Sequence, residues 1–360
     1  MDDRYYMNVA IDLAGKAAGQ TSPNPVVGSV VVKDGEIVGF GAHLKAGEAH
    51  AEVHAIRMAG EKVIGSTVYV TLEPCSHHGR TPPCSDLLIS SQVKRVVIAS
   101  VDPNPLVAGS GIKKLKSAGI IVDVGVCEAE ALALNDVFFH YIKTKKPYVT
   151  LKTASSLDGK TATYTKDSKW ITGEEARMDV HRYRHRHDAI LVGVGTVIAD
   201  DPSLTTRLPN GGKNPVRIIL DTHLRTPIDA RVLTDEEAPT WIITGARADE
   251  KKIEALINQQ VKVMKLPTEE IKIDNLLTLL GDRGITSLFV EGGATVNGSF
   301  LEAGAINQVI TYIAPKLIGG ALAPTMIGGS GFRSMGVSMN LTIKDITMIG
   351  QDIKIISVPL

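Results

Sequence analysis

Apolar positions along the chain change their period repeatedly, and each change predicts an element. Tyr6 to Ala18 reads as an amphipathic helix. Val26 to Val32 and Ile37 to Phe40 are β-branched runs on either side of Asp34-Gly35, a turn pair that predicts a hairpin. The helical run HAEVHAIRMAG follows, then the strand TVYVTLEP, a helix opening near Cys84 (CSDLLISSQ) and the strand RVVIAS. A Gly-rich connection with a short helix leads to the strand GIIVDVGV. Alternation of this kind predicts a layered α/β domain, and ~150 residues is an ordinary size for one.

The basic, Pro-ended stretch KTKKP (Lys143 to Pro147) marks a boundary, dividing the chain into expected domains at 1–145 and 146–360. A second α/β run starts at Tyr148. Its expected strands are YVTLKTA, DAILVGVGTV, PVRIILD, TWIITG, VKVMKL, SLFVEGG, QVITYIAPKLI and DIKIISV, with helical stretches between several of them. There is no internal repeat or low-complexity segment.

Composition narrows the function. Of 360 residues, 44% are hydrophobic, ample for two cores, and 39 Lys+Arg balance 39 Asp+Glu. A zero net charge gives no global field toward nucleic acid or an anionic membrane, which favours a small-molecule substrate. The acidic, amphipathic N-terminus is unlike a signal peptide and no apolar run approaches the ~20 residues of a membrane span, so a cytoplasmic protein is expected. Three cysteines do not suggest a disulfide framework.

Two of those cysteines have a better use. His50-Ala51-Glu52 is followed by Pro74-Cys75 and Pro83-Cys84. His50, Cys75 and Cys84 supply three donors to Zn²⁺ and leave a fourth position for water, as in a catalytic site, with Glu52 beside them as a proton carrier. H-x-E…P-C…C is the signature of zinc-dependent nucleobase deaminases, but eight residues here separate the cysteines instead of two. That loop offers His77, His78 and Arg80 to an anionic group. His50 and His54 also stand at i, i+4 as in H-E-x-x-H proteases, but Ala51 occupies the place of the protease Glu. Asn24, Asn104 and His43 lie in loops where each reads a heterocycle or ribose, or merely holds a turn.

In the second domain the informative segments are LKTASSLDGKTAT, DSKWITG, GVGTVIADDPSLTTR and FVEGGATVNGSFL. Backbone N–H groups at Gly293 to Gly298 can cradle a phosphate. The glycines after Val192 lack the third member of the dinucleotide fingerprint. Lys152 and Glu291 are charges written into apolar strands, either a functional pair or a structural ion pair. Ser168, Arg184 and Arg207 can make charge-assisted bonds to a phosphate.

Taken together, GAHLKAGEAHAEVHA, TLEPCSHHGRTPPC, DPNPLVAGSGI, LKTASSLDGK, SKWITG, ILVGVGTVIADDPSLTTR and VEGGATVNGSF resemble the bifunctional deaminase/reductase family of riboflavin biosynthesis nearly end to end. The resemblance implies a cytidine-deaminase-like α/β/α domain followed by a dihydrofolate-reductase-like α/β domain using NADPH. It implies deamination of a diaminopyrimidinone ribosyl phosphate at a zinc ion held by His50, Cys75 and Cys84, with Glu52 moving protons, followed by reduction of ribosyl to ribityl. Asn24, His43, His77, Arg80 and Asn104 match positions lining the first pocket, with Arg80 where some members have Lys. Lys152 and Glu291 match the substrate end of the second, with Ser168, Arg184, Leu204 and Arg207 as substrate or phosphate contacts. Ala154, Trp170, Thr196, Asp200 and the run Gly293, Ala294, Thr295, Val296, Asn297, Gly298 and Ser299 match the dinucleotide site. Asp200 is a candidate for a binding or a chemical role. The family also implies a homo-oligomer.

Two other readings compete: a deaminase of free nucleosides or tRNA adenosine joined to an unrelated reductase, and a nucleotide-binding regulator with a structural zinc. The absence of an extended basic run counts against tRNA. Glu52 beside a three-donor site counts against the regulator.

Overall fold

Met1–Lys145 and Lys146–Leu360 form two units, each with its own sheet and core. The computed structural model describes residues 1–77, 82–104 and 108–360.

In chain order the first unit runs α1 (Asp3–Lys16), β1 (Gly28–Lys33), β2 (Glu36–Ala42), α2 (Ala51–Ala59), β3 (Thr67–Leu72), α3 (Cys84–Ser90), β4 (Arg95–Ser100), α4 (Ser110–Ser117), β5 (Ile121–Val124), α5 (Glu128–Leu134) and α6 (Asp136–Thr144). Helix α1 starts earlier than the apolar period suggests because Asp2 caps it, accepting the Tyr5 N–H at 3.0 Å. Asp34 and Gly35 both take positive φ, and this turn joins β1 to β2 as an antiparallel hairpin. The sheet order is β2-β1-β3-β4-β5, with β3, β4 and β5 parallel. One sheet face packs Ala55, Ile56, Leu88 and Leu115 of α2, α3 and α4; the other packs Tyr6, Met7, Ala10 and Ala131 of α1 and α5. Three layers result.

Two glycines set the height of α2 above β2. A Cβ on Gly39 would stand 2.1 Å from the Ala55 carbonyl oxygen, and one on Gly41 would stand 2.5 Å from His54 Cβ and 2.7 Å from the Ala51 oxygen. Main chain therefore lies close against main chain along α2, from its first turn over Gly41 to its C-terminal half over Gly39.

The second unit runs β6 (Tyr148–Ser156), α7 (Glu174–Arg186), β7 (Ala189–Gly193), α8 (Val194–Asp200), β8 (Val216–Leu220), α9 (Arg231–Thr234), β9 (Thr240–Thr244), α10 (Glu250–Leu256), β10 (Val261–Lys265), α11 (Ile273–Asp282), β11 (Ser287–Val290), α12 (Ala294–Glu302), β12 (Gln308–Ala314), β13 (Leu341–Ile349) and β14 (Asp352–Pro359). Its strands order as β10-β9-β8-β7-β11-β6-β12-β14-β13. The first seven are parallel and the last two antiparallel. Helices α7 to α10 cover one face through Val180, Val194, Val197, Val232 and Ile253, and α11 and α12 cover the other through Leu276, Leu280 and Phe300. Burial on both faces explains why these strands read as unbroken apolar runs.

Two differences from expectation have a clear physical reason. The strand read from DAILVGVGTV ends at Gly193, and VGTVIAD is helix α8: Gly193 takes extended backbone as the N-cap, and Val194 and Val197 share a buried helical face. Strand β13 was not anticipated. A bulge between Ile343 and Asp345 breaks its period, so Leu341 and Ile343 stand an odd number of residues from Ile346 and Met348 although pairing to β14 puts all four on one face. Among the described residues, no helix is long and apolar enough to cross a membrane.

Candidate active sites

His50 is the N-cap of α2 and Glu52 lies in its first turn, while Cys84 opens α3 and Cys75 follows β3. The folding of a strand end against two helix starts brings together residues far apart in sequence. His50 Nδ1 stands 3.2 Å from Cys84 Sγ and 3.6 Å from Cys75 Sγ, and the three donor atoms lie within 4.8 Å of one another. A tetrahedral Zn²⁺ with ligands at ~2.0 to 2.3 Å spans donor separations of roughly 3.5 to 3.8 Å, so the set fits zinc. Glu52 is 3% exposed, and its Oε2 has no hydrogen-bond partner among the described residues. Burial raises its carboxyl above the usual range. Cys75 is held below the usual thiol range, first by its hydrogen bond with Cys84 and then, against burial, by His50; Cys84 is pushed up by the same contact and by burial.

A cavity of about 570 Å³ opens onto this cluster. Asn24, His43, His77 and Asn104 line it, as do Glu73 and Asp102. His43 is 2% exposed, and both its ring nitrogens are engaged within the protein: Nδ1 donates to the Ala49 carbonyl at 3.1 Å, leaving Nε2 to accept from Asn24 Nδ2 at 3.1 Å. Burial lowers its basicity, consistent with the neutral ring this pattern needs. The Asn24 amide is thereby turned by His43. Phe138, Tyr141 and Ile142 of α6 form an apolar wall that sequence reasoning missed, although their i, i+3, i+4 spacing marks one helical face. His78 and Arg80 lie outside the described residues.

In the second unit, Glu291 follows β11, Lys152 lies within β6 and Arg184 sits in the last turn of α7. Arg184 Nε and Nη2 donate to Glu291 Oε1 and Oε2 at 2.6 and 3.2 Å, and Lys152 Nζ stands 3.6 Å from Oε2. Burial alone would raise Glu291, but Arg184 and Lys152 outweigh it and bring the carboxyl to about 2. Arg184 Nη1 also donates to the Thr205 carbonyl, next to Leu204, which is buried with a φ of 55°. His181 accepts the Arg207 N–H at Nδ1; burial, then Arg184 and Arg207, bring it down to about 4. Sequence reasoning passed over His181, which nothing but its position one helical turn before Arg184 distinguishes. The site thus joins Lys152, Arg184 and Glu291 to the segment 204–207.

A second constellation forms at the carboxyl ends of neighbouring strands β7 and β11. Helix α8 leaves β7 toward one face of the sheet and α12 leaves β11 toward the other, which opens a crevice of the kind that takes nucleotides. A Cβ at Gly193 would stand 2.9 Å from Val296 Cγ2, so the two helix starts touch, while a Cβ at Gly293, the N-cap of α12, would meet nothing within 4 Å. The open helix end fits a dinucleotide phosphate. Thr196 is half-buried in α8, and Asp200 is exposed at its end. Ala294 to Ser299 are helical rather than loop: Asn297 Nδ2 donates to the Met326 carbonyl, Gly298 packs on Gly328, and Ser299 donates to the Thr295 carbonyl. Ala154 lies on β6 and Ser168 is half-buried in the following connection. Trp170 is 61% exposed, with the Arg177 guanidinium 4.6 Å from its ring centroid.

Residues 147–355 match the family model of the RibD C-terminal domain, and residues 1–100 match the cytidine and deoxycytidylate deaminase zinc-binding region. The chain is 56% identical to riboflavin biosynthesis protein RibD of Bacillus amyloliquefaciens, covering 99% of this chain and 96% of that one. The chain belongs to the RibD family. RibD of Escherichia coli K12 is 43% identical over 98% of each chain. Among solved structures, Acinetobacter baumannii RibD aligns with a TM-score of 0.89 at 42% identity over 99% of both chains. The Thermotoga maritima diaminohydroxyphosphoribosylaminopyrimidine deaminase/5-amino-6-(5-phosphoribosylamino)uracil reductase gives 0.89 at 38% identity, covering 99% of this chain and 98% of that one. As a RibD-family protein, the chain is a bifunctional enzyme of riboflavin biosynthesis, with a zinc-binding deaminase unit and an NADPH-using reductase unit.

Proposed function

We propose that the first unit deaminates 2,5-diamino-6-ribosylamino-4(3H)-pyrimidinone 5′-phosphate and that the second reduces the product's ribosyl group to ribityl. The observation that carries the deaminase half is the buried Oε2 of Glu52, without a hydrogen-bond partner among the described residues, beside a donor set of three. A structural zinc site fills its coordination and needs no such group. His50, Cys75 and Cys84 would hold the zinc ion, which when bound would supply an acidified water for attack on the amidine carbon. Glu52, held basic by burial, takes the water's proton and returns it to the ring nitrogen and the departing amine. Asn24, turned by His43, offers its Oδ1 to an N–H of the base, and His77 and Asn104 complete the polar lining. Arg80 is proposed as a phosphate contact.

In the second unit NADPH supplies hydride. Lys152 and Glu291 are proposed to face the ribosyl carbon that accepts it, with Arg184 fixing the carboxylate. Ser168, Leu204 and Arg207 are proposed to bound the substrate phosphate, and the α12 start from Gly293, with Ala154, Trp170, Thr196 and Asp200, to bound the dinucleotide. The deciding experiment incubates zinc-loaded protein with the diaminopyrimidinone ribosyl phosphate, with and without NADPH. Ammonia release without NADPH, and NADPH oxidation only once deaminated product is present, supports both steps and their order. Metal-replete protein that releases no ammonia overturns the substrate.

We also infer a homo-oligomer built on β13, and a cytoplasmic location in keeping with three free cysteines. The strand is one of the sheet's two edges, opposite β10, and exposes Leu341, Ile343, Ile346 and Met348 on one face. Antiparallel pairing with a second copy sets Lys344 opposite Asp345, Ile343 opposite Ile346 and Leu341 opposite Met348. Such self-complementarity favours an isologous contact.

A further inference from the structure

Glu73 follows β3 directly and precedes Pro74 and the zinc ligand Cys75. It is 4% exposed, yet among the described residues it has no ion-pair partner. Four backbone N–H groups surround its carboxylate instead. Oε2 accepts from Gly109 at 2.9 Å and Asp102 at 3.4 Å, and Oε1 accepts from Gly111 at 2.9 Å and Ile112 at 3.2 Å. A carboxylate offers about four acceptor positions, so this one is saturated.

The four donors are not one helix cap. Gly109, Gly111 and Ile112 open α4, but Asp102 stands at the other end of the connection that leaves β4. Asn104 lies on that connection, its N–H held by Asp102 Oδ1 at 2.8 Å and its carbonyl by the Ala108 N–H at 2.9 Å. Asn104, Asp102 and Glu73 all line the deaminase cavity. The same seam is closed twice more: Ser76 Oγ meets Ser110 Oγ at 2.6 Å, and a Cβ on Gly111 would stand 2.1 Å from the Pro74 carbonyl oxygen.

We propose that Glu73 is a positioning residue of the deaminase, clamping the connection that carries Asn104 against the zinc loop so that one carboxylate sets their separation. The inference rests on the reading of Asn104 as a substrate contact. An amide cannot replace the carboxylate, because its NH₂ would face N–H donors. A group that binds substrate and transition state alike appears in KM, whereas a metal-loop defect appears in kcat and zinc content.

The test compares Glu73→Gln, Asn104→Ala and the double variant in the full chain, measuring zinc content, deamination kinetics and the reductase rate as a control for folding. Glu73→Gln is expected to raise the deaminase KM about tenfold with kcat within about threefold. Zinc content and reductase rate stay at parental levels. The double variant should be no worse than the poorer single one, since both changes remove the same contact. If Asn104→Ala raises KM and Glu73→Gln does not, or if their effects multiply, the clamp is wrong and Asn104 stands. Zinc loss or a kcat defect at unchanged KM makes Glu73 a support of the metal loop and also overturns the clamp. If Asn104→Ala leaves KM unchanged, the substrate-contact reading fails first. Should Glu73→Gln not accumulate as folded protein, Glu73→Asp, which keeps the charge with a shorter reach, is expected to raise KM by a smaller factor; an unchanged KM there overturns the clamp.

Discussion

Arg184 and Glu291 face each other as a two-point pair, Nε to Oε1 at 2.6 Å and Nη2 to Oε2 at 3.2 Å, inside the reductase unit. Planar, two-point pairing fixes the carboxylate's orientation as well as its charge. With Lys152 and Arg184 both beside it, the carboxylate is the group that makes two partly buried cations tolerable.

Glu291→Gln leaves those cations uncompensated. Removing one partner of a buried ion pair costs about 3 kcal/mol or more in stability. Loss of the fixed orientation should lower reductase kcat/KM about a hundredfold, read as NADPH oxidation with the deaminated product supplied. Ammonia release by the other unit should be unaffected; a parallel loss of both activities would show general unfolding instead.

Acid should weaken the second unit for a related reason. Glu291 titrates at about 2 in the fold against an ordinary 4.5, so its contribution, roughly 3 kcal/mol, is complete above pH 4.5 and lost as pH falls toward 2. His181, at about 4 against an ordinary 6.5, acts in the same direction over a higher window, because the unfolded chain takes up the proton first. Thermal melting from pH 7 to pH 3 should show Tm falling, and Glu291→Gln should flatten the portion below pH 4.5. An identical slope in parent and variant would remove Glu291 from the explanation.

Glu52→Gln should cut deamination about a thousandfold while the protein keeps its zinc and its reductase rate. Chelation should abolish ammonia release and leave NADPH oxidation intact when deaminated product is supplied. Metal analysis alongside both rates separates the cases. A Glu52→Gln protein with normal turnover would return the site to a structural role.

Ile346 is 60% exposed near the centre of β13. If that strand pairs with its copy, Ile346→Glu places a charge against Ile343 of the partner subunit and should shift the sedimentation coefficient to that of a smaller species, at any protein concentration where the parent is associated. A variant that sediments like the parent places the contact elsewhere.

Much of this architecture was legible because chemistry or burial imposed it on short spacings. His50, Glu52, Cys75 and Cys84 stand out since a metal demands donors of particular types. The buried parallel strands stand out as apolar runs. Glu73 carries no such mark, because its partners are backbone groups about thirty to forty residues away that any sequence would supply. His43 lines the cavity as its loop suggests, but its hold on Asn24 shows only once its two ring nitrogens are traced to Ala49 and Asn24. β13 was lost to one bulged residue, and α8 hid within a β-branched run whose preceding Gly193 already stands at a helix start.

Gly39 and Gly41 let β2 lie close against α2 along its length, and Gly41 does so at the end of the helix from which His50 and Glu52 project. The spacing of sheet and metal ligands is therefore a main-chain dimension, insulated from the gradual exchange of core side chains. A single added methyl at Gly41 would act on the chemistry as directly as a change in a ligand, though it touches neither metal nor substrate.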